Sequence, residues 1–223
     1  QQVSSAASDV YKRQAKHDAI NLINISGCKD FVLGEPTINN SKFITNCLST
    51  AADLAFQNSS CLVTGPLNKS IVQKYIQNFT GHTEFLGKRF NAKEVLMFMT
   101  NGNLHLGIIT THIPLKKVPN SISKVLIKNK YKLLHNGLIN IFKIASPKIA
   151  VLGVNPHAGE SGTIGDEELS IIMPAIDELR HEGYDANGPV SADTVFTRTE
   201  YDAVLSMYHD QALPVLKTID FHK

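Results

Sequence analysis

The chain has 223 residues, of which 43% are hydrophobic and 19% are charged, and its formal net charge is +2. These proportions are those of an ordinary globular protein with a core of normal size. The small net charge does not indicate binding to nucleic acid or to an anionic membrane surface. No apolar run approaches the ~20 residues of a membrane-spanning helix. No signal peptide is visible either, so we expect a cytoplasmic location.

The first residues and the cysteines carry little functional information. Residues 1–14 are rich in serine, alanine and glutamine without a periodic apolar pattern, so we interpret them as a disordered or foreign tail. Residues 15–223 are then the folded region. Cys28, Cys47 and Cys61 have neither zinc-finger nor redox spacing, and we expect them to be buried small side chains.

The first part of the chain is predicted to contain helices and one strand. Apolar residues at helical spacing predict a helix from Ser41 to Gln57. The β-rich run from Cys61 to Thr64, ended by Gly65-Pro66, predicts a buried strand followed by a loop. A short helix is expected from Asn68 to Ile76, and Thr83 is expected to cap another short helix.

Strand and helix patterns alternate in the rest of the chain. We predict strands over 95–100, 104–110, 148–154 and 203–207, and helices over 121–144, interrupted near Asn136-Gly137, and over 166–181. Asn101-Gly102-Asn103 is typical of a hairpin, so the sheet is expected to be mixed. Alternating strands and helices indicate a layered α/β fold.

Three predicted strands are each followed by a histidine, namely His112, His157 and His209. In open α/β sheets, ligands bind in the crevice outside the carboxyl ends of the strands. Three histidines form a known ligand set for catalytic zinc, and imidazole suits several other metals. The pattern indicates a shared metal site, with isolated loop histidines as the alternative. Asp210 is a candidate to orient His209, or to cap a following helix.

Other segments are candidates for binding anions. His82 and Thr83 lie at a predicted helix start, where free N–H groups attract phosphate or carboxylate, although this signal alone favours an ordinary cap. Lys217 follows an apolar run and either points into the crevice or extends to water. A G-x-x-G-x-x-G run from Gly159 lacks the spacing of the dinucleotide fingerprint, and that fingerprint and the P-loop are both absent from the sequence.

Six segments carry distinctive motifs: TGPLNK from Thr64, GHTEF from Gly81, TTHIPL from Thr110, NPHAGE from Asn155, GPVSADTVF from Gly188 and YHDQALPVLK from Tyr208. Taken together and in this order, they resemble the 4-hydroxythreonine-4-phosphate dehydrogenase family of vitamin B6 synthesis. The resemblance extends over most of residues 34–221. Ala212 stands where the family usually has a glycine.

The resemblance implies the α/β/α layered fold of the isocitrate and isopropylmalate dehydrogenase group, with two interleaved α/β subdomains. It also implies NAD or NADP as cofactor and a divalent metal, which would be zinc, magnesium or cobalt. The expected partners are a small phosphorylated hydroxy-amino acid and a second copy of the chain, in a homodimer whose metal site is shared between subunits.

The resemblance also implies roles for individual residues. The implied metal ligands are His112, His157 and His209, and the implied substrate contacts are His82, Thr83 and Lys217. Asp193 and Lys217 are both candidates for proton handling, and the sequence does not decide between them.

The implied activity is NAD(P)-dependent oxidation of 4-phosphooxy-L-threonine with decarboxylation to 3-amino-2-oxopropyl phosphate, in pyridoxine 5′-phosphate synthesis. The alternatives are a related dehydrogenase for phospho-threonate or phospho-erythronate, a three-histidine metallohydrolase, and an inactive fragment. The last alternative arises because the family's glycine-rich N-terminal segment is missing and its further substrate-binding asparagine and arginine fall beyond Lys223. We therefore expect a fragment that lacks both ends.

Overall fold

The structure, a computed structural model, describes residues 22–29, 32, 34–77, 79 and 81–220. The chain divides into two compact units, residues 1–85 and 86–223. The tail predicted over residues 1–14 lies outside the described residues. The interleaving of two subdomains stays a prediction.

The first unit is helical in its described part. Its elements are a 3₁₀ turn followed by three helices: Ile38–Asn40, α1 (Ser41–Gln57), α2 (Lys69–Gln73) and α3 (His82–Arg89), the last of which begins in this unit. Leu48, Val72 and Phe79 are buried together and form the small apolar core between α1 and α2.

The predictions for this unit are partly confirmed. Helix α1 has the predicted bounds, whereas α2 ends at Gln73 rather than at Ile76. The strand predicted from Cys61 to Thr64 is wrong, because no described segment pairs with residues 61–68 and a strand needs a partner. Helix α3 begins at His82, so that Thr83 lies within the helix instead of capping it.

The second unit contains a five-stranded mixed sheet. Its strands are β1 (Met97–Thr100), β2 (His105–Thr110), β3 (Ile149–Leu152), β4 (Ala186–Val190) and β5 (Ala203–Tyr208). The spatial order is β1-β2-β5-β3-β4. Strands β1 and β2 form the predicted antiparallel hairpin, and the other neighbouring strands are parallel. Strand β4 was not predicted.

Helices cover both faces of this sheet. They are α4 (Val118–Ser121), α5 (Lys124–Asn140), α6 (Met173–His181), which follows a π turn at Glu168–Ile172, α7 (Ala192–Val195) and α8 (His209–Asp220). The predicted helices over 121–144 and 166–181 correspond to α5 and to the π turn with α6. The interruption predicted near Asn136-Gly137 is wrong, since α5 continues through it.

Successive side chains along a strand point to opposite faces of the sheet and belong to two different cores. In β3, Ile149 and Val151 join the core beneath α5 and α6, whereas Ala150 and Leu152 join the core beneath α7 and α8. This period of two is the geometry of a strand buried on both faces. The predicted α/β/α layering is therefore confirmed.

Composition also predicts that the chain has no membrane-spanning helix and that its cysteines are buried. None of the helices in the described part of the chain combines the length and the hydrophobicity that a membrane span requires. The three cysteines are free, but Cys28 and Cys61 are exposed and only Cys47 is half-buried, so their predicted burial is wrong for two of them. Cys28 and Cys61 lie in segments without regular structure, where no packed layer covers them.

Candidate functional site

The carboxyl ends of three adjacent strands in the second unit lie at one edge of the sheet. Strands β2, β5 and β3 are neighbours and run parallel. His112 follows β2, His209 is the first residue of α8 directly after β5, and His157 follows β3. The sheet thus brings the three predicted metal ligands to the edge where ligands bind in open α/β folds.

Side-chain hydrogen bonds join the ends of these strands. The Thr110 hydroxyl on β2 donates to the Met207 carbonyl on β5 at 2.6 Å. The Gln211 side chain accepts from the Met207 N–H at 2.8 Å and donates to the Gly153 carbonyl beyond β3 at 2.6 Å. These bonds fix the strand ends relative to one another, and with them the starting points of the histidine-bearing segments.

His112 and His209 form the closest pair among the three histidines that the structure records. Their ring centroids are 6.1 Å apart. The Nδ1 atom of His209 is 2.7 Å from Oδ1 of Asp210. A carboxylate at Nδ1 leaves Nε2 available as a ligand atom and fixes the orientation of the ring. The orienting role expected for Asp210 therefore has a geometric basis.

His157 is paired with a different carboxylate. Its Nδ1 lies 3.4 Å from Oδ2 of Asp193, and both side chains are more than half exposed, at 58% and 55%. The other Asp193 oxygen accepts a hydrogen bond from the Ser191 hydroxyl at 2.5 Å. The hydrogen bond from Ser191 is the largest cause of a lowered pKa of Asp193. Desolvation raises this pKa by less, and the nearby His157 ring lowers it slightly.

A cleft of about 210 Å³ lies beside His157. Its walls include Asn155, Asp193, Tyr208 and Gln211, so that hydrogen-bonding groups from the ends of β3 and β5 and from α7 face the same space. These groups offer hydrogen bonds to the polar atoms of a small ligand in the cleft.

The three histidines offer imidazole nitrogens, which are common ligands of divalent cations. His157 and His209 each place Nδ1 toward a carboxylate, an arrangement typical of metal-binding imidazoles. Among the residues that the structure describes, no group of three or more histidine, cysteine, aspartate or glutamate side chains is close enough to hold a metal ion. The chemistry of the donors thus fits a cation, and the three-histidine site stays a prediction.

The predicted substrate contacts are divided between the units. In the first unit, His82 lines an apolar cleft of about 310 Å³ formed with α1 and the segment 62–67. Its Nε2 atom is buried and has no hydrogen-bond partner among the residues that the structure describes, and its ring meets Phe79 edge-on at 6.4 Å. Thr83 is exposed. In the second unit, Lys217 is exposed on α8. A polar atom of a ligand would satisfy a buried nitrogen of this kind by forming a hydrogen bond with it.

The remaining described histidines contact aromatic side chains or the backbone of their own helix. His105 is buried against Phe98 and Phe142, with ring centroids 5.9 and 4.5 Å away, and burial lowers its pKa. His135 packs on Tyr184 at 4.8 Å. His181 contacts the carbonyl of its own helix at 2.7 Å. His17 and His222 lie outside the described residues.

Sequence reasoning missed the residues that hold the site together. Gln211 and Thr110 were not singled out, although both lie within the distinctive motifs YHDQ and TTH. Their contacts are between segments far apart in the chain, so no local pattern reveals them. Glu168 lies within the helix predicted over 166–181 and is buried beneath the His157 loop.

Solved structures similar to this chain are dehydrogenases. A 4-hydroxythreonine-4-phosphate dehydrogenase from Klebsiella pneumoniae is 34% identical with a TM-score of 0.79, over 84% of this chain and 58% of that one. A protein of the same name from Burkholderia phymatum is 30% identical with a TM-score of 0.80, over 92% and 63%. A terephthalate 1,2-cis-dihydrodioldehydrogenase from Burkholderia xenovorans, at 23% identity and a TM-score of 0.69 over 90% and 65%, shows a shared fold alone.

These likenesses and the histidine-bearing sheet edge define the chain as a three-layer α/β protein that shares its fold with these dehydrogenase structures. All of residues 1–223 match the model of one family, described as pyridoxal phosphate biosynthetic protein PdxA. The chain belongs to this family. It spans 58% and 63% of the two 4-hydroxythreonine-4-phosphate dehydrogenase structures.

Proposed function

We propose that the chain forms part of a cytoplasmic, homodimeric, NAD(P)- and metal-dependent 4-hydroxythreonine-4-phosphate dehydrogenase of vitamin B6 synthesis. The reaction is oxidation of the C3 hydroxyl of 4-phosphooxy-L-threonine, followed by loss of CO₂ to give 3-amino-2-oxopropyl phosphate. One observation carries the proposal: three adjacent parallel strands each lead into a histidine of a family motif at the same edge of the sheet. The family match and the names of the similar structures support the substrate class.

In this proposal, His112, His157 and His209 hold the divalent cation, which is zinc, magnesium or cobalt. When bound, the cation supplies Lewis acidity that lowers the pKa of the substrate hydroxyl, and NAD or NADP supplies the hydride acceptor. The strand-end hydrogen bonds of Gln211 and Thr110 hold the histidine-bearing segments in place. The carboxylates beside His157 and His209 orient their rings.

The anionic groups of the substrate need cationic or N–H partners. We assign this role to His82, Thr83 and Lys217. His82 has a buried nitrogen that finds no partner in the described part of the chain, and Thr83 lies in the first turn of α3, where helix N–H groups favour negative charge. Lys217 is exposed on α8 and offers an ammonium group.

Two side chains are assigned to proton transfer. Asp193 lines the cleft beside His157, and its carboxylate accepts the proton of the C3 hydroxyl. The Lys217 ammonium returns a proton to the carbon from which CO₂ departs. A carboxylate suits the first step and an ammonium suits the second, because the first requires a base and the second an acid.

The proposal is tested by turnover. The chain, and in parallel the gene product read from the flanking genomic sequence, are assayed with 4-phosphooxy-L-threonine, NAD or NADP, and each of the three metals. We expect substrate-dependent reduction of the cofactor and release of CO₂ that stop when the metal is chelated. Phospho-threonate and phospho-erythronate are compared in the same assay. Release of inorganic phosphate without cofactor reduction, or no turnover by either protein, would contradict the proposal.

A matched pair of variants connects the activity with the sheet edge. His157→Ala removes a proposed ligand and is expected to abolish metal binding and turnover, because the remaining donors hold the cation weakly. His181→Ala removes a surface histidine whose Nδ1 contacts the carbonyl of Asp177 and is expected to leave both unchanged. Elemental analysis that finds the metal retained in the His157 variant would argue against the assignment.

A further inference from the structure

A glutamate is buried beneath the loop that carries His157. Glu168 begins the π turn before α6, and only 2% of it is exposed. Its Oε1 accepts hydrogen bonds from the backbone N–H groups of Val154 and Asn155, at 2.7 and 2.8 Å. Its Oε2 accepts from the Asn155 side-chain amide at 2.9 Å. A buried carboxylate is expensive unless its oxygens are satisfied, and here both are.

The chain provides space for this carboxylate by means of glycines. A Cβ atom at Gly153 would lie 2.8 Å from Oε1 of Glu168, and one at Gly159 would lie 2.6 Å from Oε2. Both distances are too short for real atoms, so any larger residue at either position would displace the carboxylate. The close approach of the loop to Glu168 thus depends on glycine on both sides of His157.

The loop above Glu168 has an unusual backbone. Within the helical turn Pro156–Gly162, the residues from His157 to Ser161 all have positive φ, between 41° and 78°. Only one of these five, Gly159, is a glycine, and side-chain-bearing residues adopt the left-handed region at a cost. A run of this kind persists only where surrounding contacts hold it in place. The Glu168 bonds to residues 154 and 155 lie immediately before the run.

We propose that Glu168 is a positioning residue, whose carboxylate holds the chain after β3 so that the left-handed turn forms and presents His157 at the sheet edge. The consequence for metal binding rests on the proposed function, whereas the positioning of the loop does not. A carboxylate is needed because both of its oxygens accept hydrogen bonds. A glutamine at this position has one acceptor oxygen, and its N–H₂ group faces the N–H₂ group of Asn155, so that two donors meet.

The test compares three variants with the wild-type chain. Glu168→Ala removes all three bonds, Glu168→Gln keeps the size of the side chain, and Asp166→Asn is the control because it neutralises a neighbouring exposed carboxylate. Amide hydrogen exchange of Val154, Asn155 and the turn is measured by NMR without metal. Losing a bond to a charged acceptor should accelerate exchange of the Val154 and Asn155 amides about tenfold in the alanine variant. The glutamine variant should be intermediate and the control unchanged.

A calorimetric titration with Co²⁺ supplies the second measurement. We expect the affinity to fall about 10–100-fold in Glu168→Ala, less in Glu168→Gln, and not in the control, as is usual when a group that orients a ligand is lost. If Glu168→Ala does not fold, Glu168→Gln alone decides the question. Unchanged exchange at residues 154–162, or faster exchange spread evenly over the whole second unit, would overturn the proposal. If the wild-type chain itself binds no Co²⁺, the proposed function fails, and the exchange measurement still decides the role of Glu168.

Discussion

At the scale of single residues, the carboxylates of the site differ in what surrounds them. Asp193 is exposed and bonded to Ser191 and His157, whereas Glu168 is buried and bonded to the chain after β3. Exposure leaves Asp193 accessible to a ligand in the cleft. Burial restricts Glu168 to supporting the loop. The same chemical group thus serves two purposes, according to its surroundings.

Asp193→Asn should show whether Asp193 transfers a proton. The change keeps the size of the side chain and its hydrogen bond with Ser191 but removes the basic oxygen. We expect kcat to fall on the order of 10²–10⁴-fold with little change in KM, as for the loss of a general base. Asp177→Asn, at an exposed carboxylate on α6 that pairs with Arg180, should leave both constants unchanged. A rise in KM at unchanged kcat would instead assign Asp193 to binding.

Alanine substitutions at two glycines distinguish the free-energy cost of backbone strain from the cost of a steric clash. Gly159 and Gly102 both have positive φ, at 78° and 93°, but only at Gly159 would a Cβ atom meet a neighbour. Gly102→Ala should therefore reduce the free energy of unfolding by about 1 kcal/mol, the cost of the backbone conformation alone. Gly159→Ala should reduce it by more, because the Glu168 carboxylate must also move. Urea unfolding measures both values, and equal losses would contradict the close packing at Gly159.

At the scale of elements, local sequence signals predicted what depends on local structure. The β1–β2 hairpin was predicted from Asn101-Gly102-Asn103, since this turn sets the pairing of its own flanking strands. Strand β4 was missed because Gly188 and Pro189 normally interrupt strands, and here they lie on an edge strand, where proline is tolerated. The strand predicted over 61–64 failed for the opposite reason, because a favourable composition cannot supply a pairing partner.

Helices α5 and α6 are connected by a cluster of partly exposed ion pairs. Glu178 of α6 contacts the ammonium groups of Lys124 and Lys128 of α5 at 2.9 and 2.7 Å. The hydrogen bonds with these lysines lower the pKa of Glu178 from 4.5 to about 2. A lowered carboxyl pKa means that the pairs stabilise the folded chain above the unfolded-state pKa. This stabilisation is lost as the pH falls toward the folded-state value.

Glu178→Gln should remove this pH dependence. At neutral pH the variant should unfold at a lower urea concentration than the wild type, and the difference should disappear between pH 4.5 and about 2, where Glu178 becomes protonated. Added salt should also reduce the difference. Glu200→Gln, at a glutamate 3.7 Å from its arginine partner, is the control and should have little effect at any pH. A difference that is constant with pH would exclude the ion pairs as its cause.

At the scale of the whole molecule, the strand order decides how the site is assembled. Strand β5 inserts between β2 and β3, which places His209 between the other two histidine-bearing segments. The sequence predicted that each histidine follows a strand, and from the parallel fold it predicted a common edge. It did not predict which strands are neighbours, because these pairings join segments far apart in the chain. For the same reason it did not predict the contacts of Gln211 and Glu168. The positions of the imidazole rings of the three histidines depend on contacts of this kind.

The proposed homodimer with a shared site can be tested by mixing inactive variants. His112 and His209 are close in one chain, while His157 is paired with Asp193. If His157 serves a site in the other subunit, mixing His112→Ala with His157→Ala and allowing exchange should restore about a quarter of wild-type activity, because mixed dimers contain one intact site. The assay uses the version of the protein that turns over, and sedimentation should show a dimer. No recovery from an exchanged mixture would place all three ligands in one subunit.

The most direct test of the account is a calorimetric titration of Co²⁺ into the wild-type chain and into the alanine variants of His112, His157 and His209. The account predicts one cation per chain, and an affinity that falls more than about tenfold in each of the three variants. His181→Ala should bind like the wild type. Full affinity in any of the three histidine variants, or no specific Co²⁺ binding by the wild-type chain, would contradict the claim that these three side chains hold one cation at the edge of the sheet.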